Sequence, residues 1–445
     1  MKKTVLLLSI PLTWGCLPAA TAQDARWTMD DCMRYAVENS PAVRKQLHTN
    51  DTYRAEYQSS VASFFPSLTT AVSTQHNFGR AIDPETNTYV NTTTFNNYYE
   101  GYASLPLFDG GQLVNQWRMA KLNRQAGMND LQKAKDDLAL STLEAFVNVL
   151  YYRGAVRFAH EKREESHRLL YKERRQEELG LRGKADVALV EAQAAGDDYI
   201  LANQQHLYHT AMLKLKELMN YPSGETLEVD TTAAMPDFIY ADELSDAIYE
   251  TAKATNPTAL QAAYKIDIAR RQHLIRKGQL FPTITLSAGI YTSYYENLKS
   301  EMDPTAFKTQ FSNNRGEYLS VGFRFPLFDG LVRHKEARRA RNQVRIAREE
   351  YTEVLRQLET AIEQSLSDRD GYARECIQME KKLRADELAY QLTLRKFEEG
   401  LMSPIDLKNS AATLLESKAL LLQKQLMHLL KCRQVDYYKG KPVIR

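Results

Sequence analysis

Leu105-Pro106-Leu107-Phe108-Asp109-Gly110 returns 220 residues later as Phe325-Pro326-Leu327-Phe328-Asp329-Gly330. Upstream, Phe65-Pro66-Ser67-Leu68-Thr69 reappears as Phe281-Pro282-Thr283-Ile284-Thr285, 216 residues on, and Asn39-Ser40-Pro41 matches Thr255-Asn256-Pro257 at that same spacing. Downstream, Gly180-Leu181 with Asp186-Val187 matches Gly400-Leu401 with Asp406-Leu407, again at 220. The spacing changes only between the two proline landmarks, so the four extra residues of the second copy belong to one loop, where insertion is tolerated. Ordered matches at constant spacing mark a duplication, which governs every later reading of the chain.

Within each copy the hydrophobic period changes in a fixed order. A first helix is expected from about Thr28 to Ser63, and its partner from about Ala241 to Gly278. A strand follows each Phe-Pro. Ile284, Leu286, Ala288 and Ile290 alternate with Thr283, Thr285, Ser287 and Gly289, and the return strand alternates through Leu319, Val321, Phe323 and Phe325. Leu68, Thr70 and Val72, then Tyr99, Gly101, Ala103 and Leu105, hold the same phase in the first copy. Period two denotes strands with one apolar face, and 9–11 residues is the length a tilted membrane strand needs. Polar loops are expected at Asn87–Asn97 and Tyr294–Asn314. Tyr98, Tyr99, Tyr102, Tyr291, Tyr294 and Tyr295 sit near strand ends, as interfacial aromatics do.

Beyond Asp109-Gly110 and Asp329-Gly330 the pattern is helical for nearly seventy residues, about 100 Å of rod at 1.5 Å per residue. Val344, Ala347, Tyr351, Val354, Leu358 and Ala361, and likewise Leu131, Ala134, Leu138, Ser141 and Ala145, follow the coiled-coil seam period. Each rod breaks at Gly180 or Gly400, turns over a few residues and returns through Asp186 to Leu218 or Asp406 to Leu430, which makes antiparallel neighbours.

The 445 residues carry few Gly and Pro, and about a quarter are charged, a composition typical of long helices. Lys2 and Lys3, the apolar Val5–Leu12 and the small-x-small Ala20-Thr21-Ala22 form a secretory signal over residues 1–22, with the mature chain starting at Gln23. The competing expectation, lipidation at Cys16, has a poor lead-in in Thr13-Trp14-Gly15. Of the 58 basic residues 56 then remain against 56 acidic ones, so net charge offers no case for nucleic acid. Cys32, Cys376 and Cys432 are too widely spaced for a metal set or a disulfide framework. No other segment has the roughly 18 consecutive apolar residues of a membrane helix, so any membrane crossing falls to the β-strands. The expected units are a first repeat over 23–219, a linker over 220–243, a second repeat over 244–431 and a basic tail over 432–445.

Four strands cannot close a membrane barrel, for which about eight are the minimum, and an open edge in lipid leaves backbone groups unpaired at several kcal/mol each. The missing strands must come from other copies. Two protomers would give a barrel filled by its own side chains, and three a barrel with a lumen.

The repeated Phe-Pro, the Leu-Phe-Asp-Gly after each second strand and the Gly-Leu…Asp-Val/Leu turns resemble the TolC-type outer-membrane efflux proteins over essentially the whole mature chain. The resemblance implies a membrane α+β fold: long antiparallel coiled-coil helices plus four transmembrane strands per protomer, in a homotrimer with a twelve-stranded outer-membrane barrel continuous with a periplasmic α-helical barrel. It implies docking to a periplasmic adaptor and an inner-membrane transporter, contact with outer-membrane lipid, and no cofactor. Pro66, Pro106, Pro282 and Pro326 are the expected strand–helix junctions. Asp406 matches the family's constricting acidic ring, and Asp186 the acidic residue of the first-half turn. Carboxylates gathered on a threefold axis would repel one another and favour cations; alternatively both simply cap the returning helices. Gly180, Leu181, Arg182 and Gly183, with Gly400, Leu401, Met402, Ser403 and Pro404, match the docking turns. Met402 stands where a latch-forming Arg is expected, Phe397 replaces a Tyr and Asn409 a second ring Asp, so the family's salt-bridge latch is not carried over to these positions.

No constellation supports catalysis. His206 and His209 share a helix face at i, i+3 without a third ligand nearby in sequence, which is a solvated pair rather than a metal site. Arg333, Arg338, Arg339, Arg341, Arg345 and Arg348 crowd one helix just beyond the strand, as a solvated face or as partners for neighbouring acids or lipid phosphates. The rival readings are a periplasmic adaptor, which needs one hairpin rather than two, and a coiled-coil tether without a pore, which the alternating strands oppose.

Overall fold

The structure is a computed structural model that describes residues 26–83, 87–231, 238, 244–300 and 303–444. The signal segment 1–22 with Cys16, and much of the linker 220–243, lie outside the described residues. The first copy comprises α1 (Met29–Asn39), α2 (Pro41–Ala62), β1 (Ser67–Asp83), β2 (Thr88–Phe108), α3 (Gln112–Glu178) and α4 (Lys184–Met219). The second comprises α5 (Ser245–Thr255), α6 (Pro257–Gly278), β3 (Thr283–Asn297), α7 (Phe307–Asn313), β4 (Gly316–Arg324), α8 (Val332–Glu398) and α9 (Pro404–Tyr438). Apart from α7, the copies match element for element.

The single first helix expected in each copy is two helices. Ser40 and Asn256 cap α2 and α6 through bonds from the Ala42 and Thr258 amides, and Pro41 and Pro257 take the first helical position. Proline is at home there and has no amide to continue the preceding helix, so the chain breaks at this point in both copies.

The four strands form one antiparallel sheet in the order β1-β2-β3-β4. Its register places Leu68, Ala103, Ala288 and Leu319 in one row and Ser67, Ser104, Ser287 and Ser320 in the next. Directly opposed residues share a face, so one face is apolar in every strand and the other polar. On the polar face Tyr318 lies across Gly289, and Tyr291 across Gly316; an added Cβ at either glycine would fall within 2.7 Å or 2.3 Å of the ring. The tyrosines thereby cover backbone that the glycines leave bare.

Strand length differs from the expected 9–11 residues. β1, β2 and β3 have 17, 21 and 15 residues, and only β4, with nine, is of the expected size. The Asn- and Thr-rich stretch expected to be loop is the distal half of β2, because its Thr, Tyr and Phe side chains suit a pleated surface and a left-handed Asn87 makes the turn. In the second copy the ladder stops sooner. There Gln310 of α7 donates to the Tyr295 carbonyl (2.8 Å) and accepts from the Tyr295 amide (2.9 Å), replacing a strand partner where β4 is absent.

Both long rods have 67 residues. They begin in the same way: Asp109 and Asp329 accept from the Leu113 and Arg333 amides, and Gly110-Gly111 and Gly330-Leu331 all take left-handed backbone. The repeated Leu-Phe-Asp-Gly is therefore a helix-starting device, its carboxylate bonding an otherwise orphan donor. Gly110 also abuts Gly278, whose carbonyl oxygen would lie 2.2 Å from an added Cβ. The α8 stripe is buried at Val344, Ala347 and Leu358 as expected. Of the α3 stripe only Ala145 is buried: Leu131, Ala134 and Leu138 are half-buried, Ser141 is exposed and bonded to the Asp137 carbonyl, and the seam runs through Ala139, Leu143, Phe146 and Leu150. Packing on both α1 and α9 draws the buried face round the helix.

Midway along the rods lies the main core, where α1, α3, α4, the segment after α4 and the chain's end bury Cys32, Met33, Phe146, Leu215, Met219 and Val229. A short parallel bridge between Trp27 and Val229 and edge-on rings of Trp27, Tyr35 and Tyr221 complete it. α5, α6, α8 and α9 form a second cluster around Ile248, Ile362 and Val435, which extends α9 beyond the expected Leu430 to Tyr438. Burial pushes the Cys32 thiol up to about 12 and those of Cys376 and Cys432 up to about 11, so these are inert packing residues.

Candidate functional site

The two rod ends have one backbone design. Gly180 (φ +73°) and Gly400 (φ +77°) follow the last helical turn in left-handed conformation. The Gly180 and Gly400 amides donate to Glu177 and Phe397 carbonyls, and those of Leu181 and Leu401 to Gln176 and Lys396 carbonyls, at 2.8–2.9 Å. This paired bonding caps the orphan carbonyls and needs a residue without Cβ at the left-handed position. It leaves Leu181 and Leu401 each 71% exposed, beside exposed Leu179 and Ile405.

Beyond the glycine the turns diverge. α9 opens with a reciprocal capping box: the Asp406 amide donates to Ser403 Oγ (3.2 Å), and Asp406 Oδ2 accepts from the Ser403 amide (3.3 Å) and hydroxyl (2.7 Å). Pro404 occupies the first helical position. α4 has Gly183 at its N-cap and so no side-chain cap. Asp186 and Asp406 are thus both third helical residues, not the cap residues themselves; only Asp406 makes the capping bonds, and its side chain is exposed while Asp186 is half-buried.

Arg182 joins the two hairpins. Its guanidinium lies 5.7 Å from the ring centre of Phe397, which is buried, and its Nε is 3.3 Å from both Glu173 Oε2 and Gln176 Oε1. Glu173 is fully buried, and neither of its carboxylate oxygens has a hydrogen-bond partner among the described residues. Sequence reading gave Arg182 a docking role and overlooked Glu173, which sits in the charged run Lys172-Glu173-Arg174-Arg175 and looks like solvated surface. The second turn also meets the first hairpin, since Pro404, Leu407 and Lys408 line a cleft with Ser166, Leu169 and Val190. Hairpin one is laced along its length by Arg174–Glu191 (2.8 Å) and Arg163–Asp198 (2.6 Å). Bonds from Arg163 and His167 hold the Asp198 carboxyl below the usual range.

The four junction prolines fall into two kinds. Pro66 and Pro282 stand immediately before β1 and β3. Pro106 lies within β2 opposite Thr285, just before a register shift, whereas Pro326 follows the end of the edge strand β4. His206 and His209 are exposed, and no group of three or more His, Cys, Asp or Glu is placed to hold a metal ion among the described residues. Arg338, Arg339, Arg341, Arg345 and Arg348 are exposed on α8, and Arg333 pairs with Asp329 at 3.5 Å.

A sheet with one apolar and one polar face, set on two long helical hairpins, is the arrangement of an outer-membrane channel protein. The chain belongs to the outer membrane efflux protein family, whose profile matches residues 33–221 and 248–429. Its place is the Gram-negative outer membrane, as the exit duct of efflux. It is 24% identical to outer membrane protein TolC of Salmonella enteritidis over 363 residues, covering 77% of this chain and 70% of that one. Against TolC of Escherichia coli (strain K12) the identity is 25% over 348 residues, covering 73% and 67%. The fold is similar to that of VceC of Vibrio cholerae (TM-score 0.79, 15% identity, 93% and 96% of the two chains) and of the Campylobacter jejuni CmeC outer membrane channel (0.80, 13%, 93% and 85%).

Proposed function

We propose that three copies of this chain close into a twelve-stranded barrel standing on an α-helical barrel, and that this duct passively conducts substrates outward from a periplasmic adaptor and inner-membrane transporter. The observation that carries the reading is the agreement between the two layers. The sheet ends in β1 and β4, and the helices beneath, packed α2–α3–α6–α8, end in the elements joined to those same strands. A subunit whose edges open on the same two sides in both layers can add head to tail, and a third-turn rotation per copy closes three of them into a ring. The rows of serine and tyrosine then line the lumen, and Leu68, Leu319, Val321 and Phe323, all at least half exposed in the single chain, face lipid.

The turns at the rod ends form the periplasmic mouth. Asp406, exposed in each copy, supplies an acidic ring there with Asp186 near it, and the exposed leucines beside Gly180, Arg182 and Gly183 or Gly400, Met402, Ser403 and Pro404 receive the adaptor. Outer-membrane fractionation followed by gel migration with and without boiling tests the assembly. A heat-sensitive species of three chains that forms channels in planar bilayers is the expected result; a soluble monomer would overturn it.

A further inference from the structure

The helices that flank the strands agree to the residue in the two copies: α2 and α6 each have 22 residues, and α3 and α8 each 67. Inside the protomer, β3 and α6 of the second copy lie against β2 and α3 of the first. The equivalent surfaces at the outer edges are β4 with α8, and β1 with α2. We propose that the joint between copies follows the register of this internal joint, opening slightly where Ala62 stands in place of the Gly278 that abuts Gly110, and that Lys45 of one copy forms an ion pair with Glu350 of the next. The proposal rests on the ring reading above and assigns its contacts.

At the internal joint, Gln261 Nε2 donates to Asp130 Oδ1 at 2.9 Å. The repeat spacings carry Asp130 to Glu350 and Gln261 to Lys45, turning an amide–carboxylate bond into a pair of opposite charges. Both side chains are exposed in the single chain, and neither has an ion pair among the described residues. Burial follows the same correspondence. Pro257 is buried where Pro41 is exposed, and Ala126 is 9% exposed where Ile346 is 49%. A groove on α2 lined by Pro41, Lys45, His48 and Thr52 is open where the matching face of α6 is covered by α3.

The strands give an independent check. Carried over by the same spacings, the Ala103–Ala288 pair becomes Phe323 opposite Val72 of the next copy, and Gly101–Ile290 becomes Val321 opposite Thr74. Both new pairs keep Phe323, Val321 and Val72 on the apolar face; a slip of one residue would turn one strand's apolar set inward. Two helix–helix bonds of the internal joint have no counterpart: Asn129 donates to the Pro257 carbonyl (2.8 Å) and Arg271 to Asn115 Oδ1 (3.5 Å), but Glu349 cannot donate and Ala55 has no polar side chain. The ion pair is therefore the polar anchor of this seam, which makes the joint between copies more salt-sensitive than the joint within one.

The test uses the full chain in outer membranes. Oxidation of Lys45→Cys/Glu350→Cys should link the subunits covalently into dimers and trimers. Either single variant, the parent, and the pair displaced by one heptad, Lys45→Cys/Gln357→Cys, should remain unlinked. Lys45→Glu should lower the temperature at which the trimer dissociates, and Lys45→Glu/Glu350→Lys should restore most of that loss. Trimers that link only through the displaced pair, or whose charge swap fails to restore them, would overturn the pairing and leave the ring intact. Absence of any oligomer from the parent would instead overturn the ring itself.

Discussion

The first and second rod-end turns share the backbone bonds that close the outgoing rod and almost no side-chain chemistry. Each has its glycine in the left-handed region and a leucine 71% exposed after it. Yet the first reaches out, Arg182 crossing to Phe397 of the other hairpin, while the second closes on itself through Ser403 and Asp406. Duplication thus preserved what the helix ends require, namely satisfied carbonyls and a tight reversal, and left the side chains beyond the glycine free to diverge. The absent Arg at 402 does not leave the rod ends without a cation. The cation comes from the other turn, and Phe397 meets it through its ring face.

The largest expected effect breaks the comparison at its most unequal point. Removing one partner of a buried pair costs ~3–5 kcal/mol; because Arg182 remains 24% exposed, Arg182→Ala should cost about 2 kcal/mol locally, read as lost amide protection near Gly180 and Gly400 in hydrogen exchange. Met402→Ala at the equivalent site should change protection by under about 0.5 kcal/mol. Replacing Glu173 by Leu in the Arg182→Ala background should recover much of the loss, since no charge is then buried unpaired. Next, Ser403→Ala removes the capping box and should cost about 1 kcal/mol at the start of α9, visible as faster exchange at Asp406 and Leu407 alone. The smallest change should make the turns more alike. Gly183 has extended backbone (φ −82°) that serine adopts freely, so Gly183→Ser should stabilise the start of α4 by only a few tenths of a kcal/mol.

Sequence and structure part at identifiable places. The duplication, the strand faces and the rod ends were legible because they rest on period, proline and glycine, which act locally. Asp109 and Asp329 were visible as a motif, and the structure supplied their reason in the amides they bond. The break at Ser40-Pro41 is equally local, a serine followed by proline, but the helical pattern runs on across it and hides the break. Glu173 and the true seam of α3 could not be read, since both depend on which distant helix lies alongside. The length of β1 and β2 escaped because polar Asn and Thr resemble loop until their register with a neighbouring strand is known.

Single-channel recording from the purified oligomer tests the duct and its narrow mouth together. Discrete channels should appear, a multivalent cation added on the side of the rod ends should block them, and Asp406→Asn should weaken that block at least tenfold. An oligomer that conducts nothing, or a block unchanged by Asp406→Asn while the turn remains folded, would contradict an acidic mouth at the end of an outer-membrane duct.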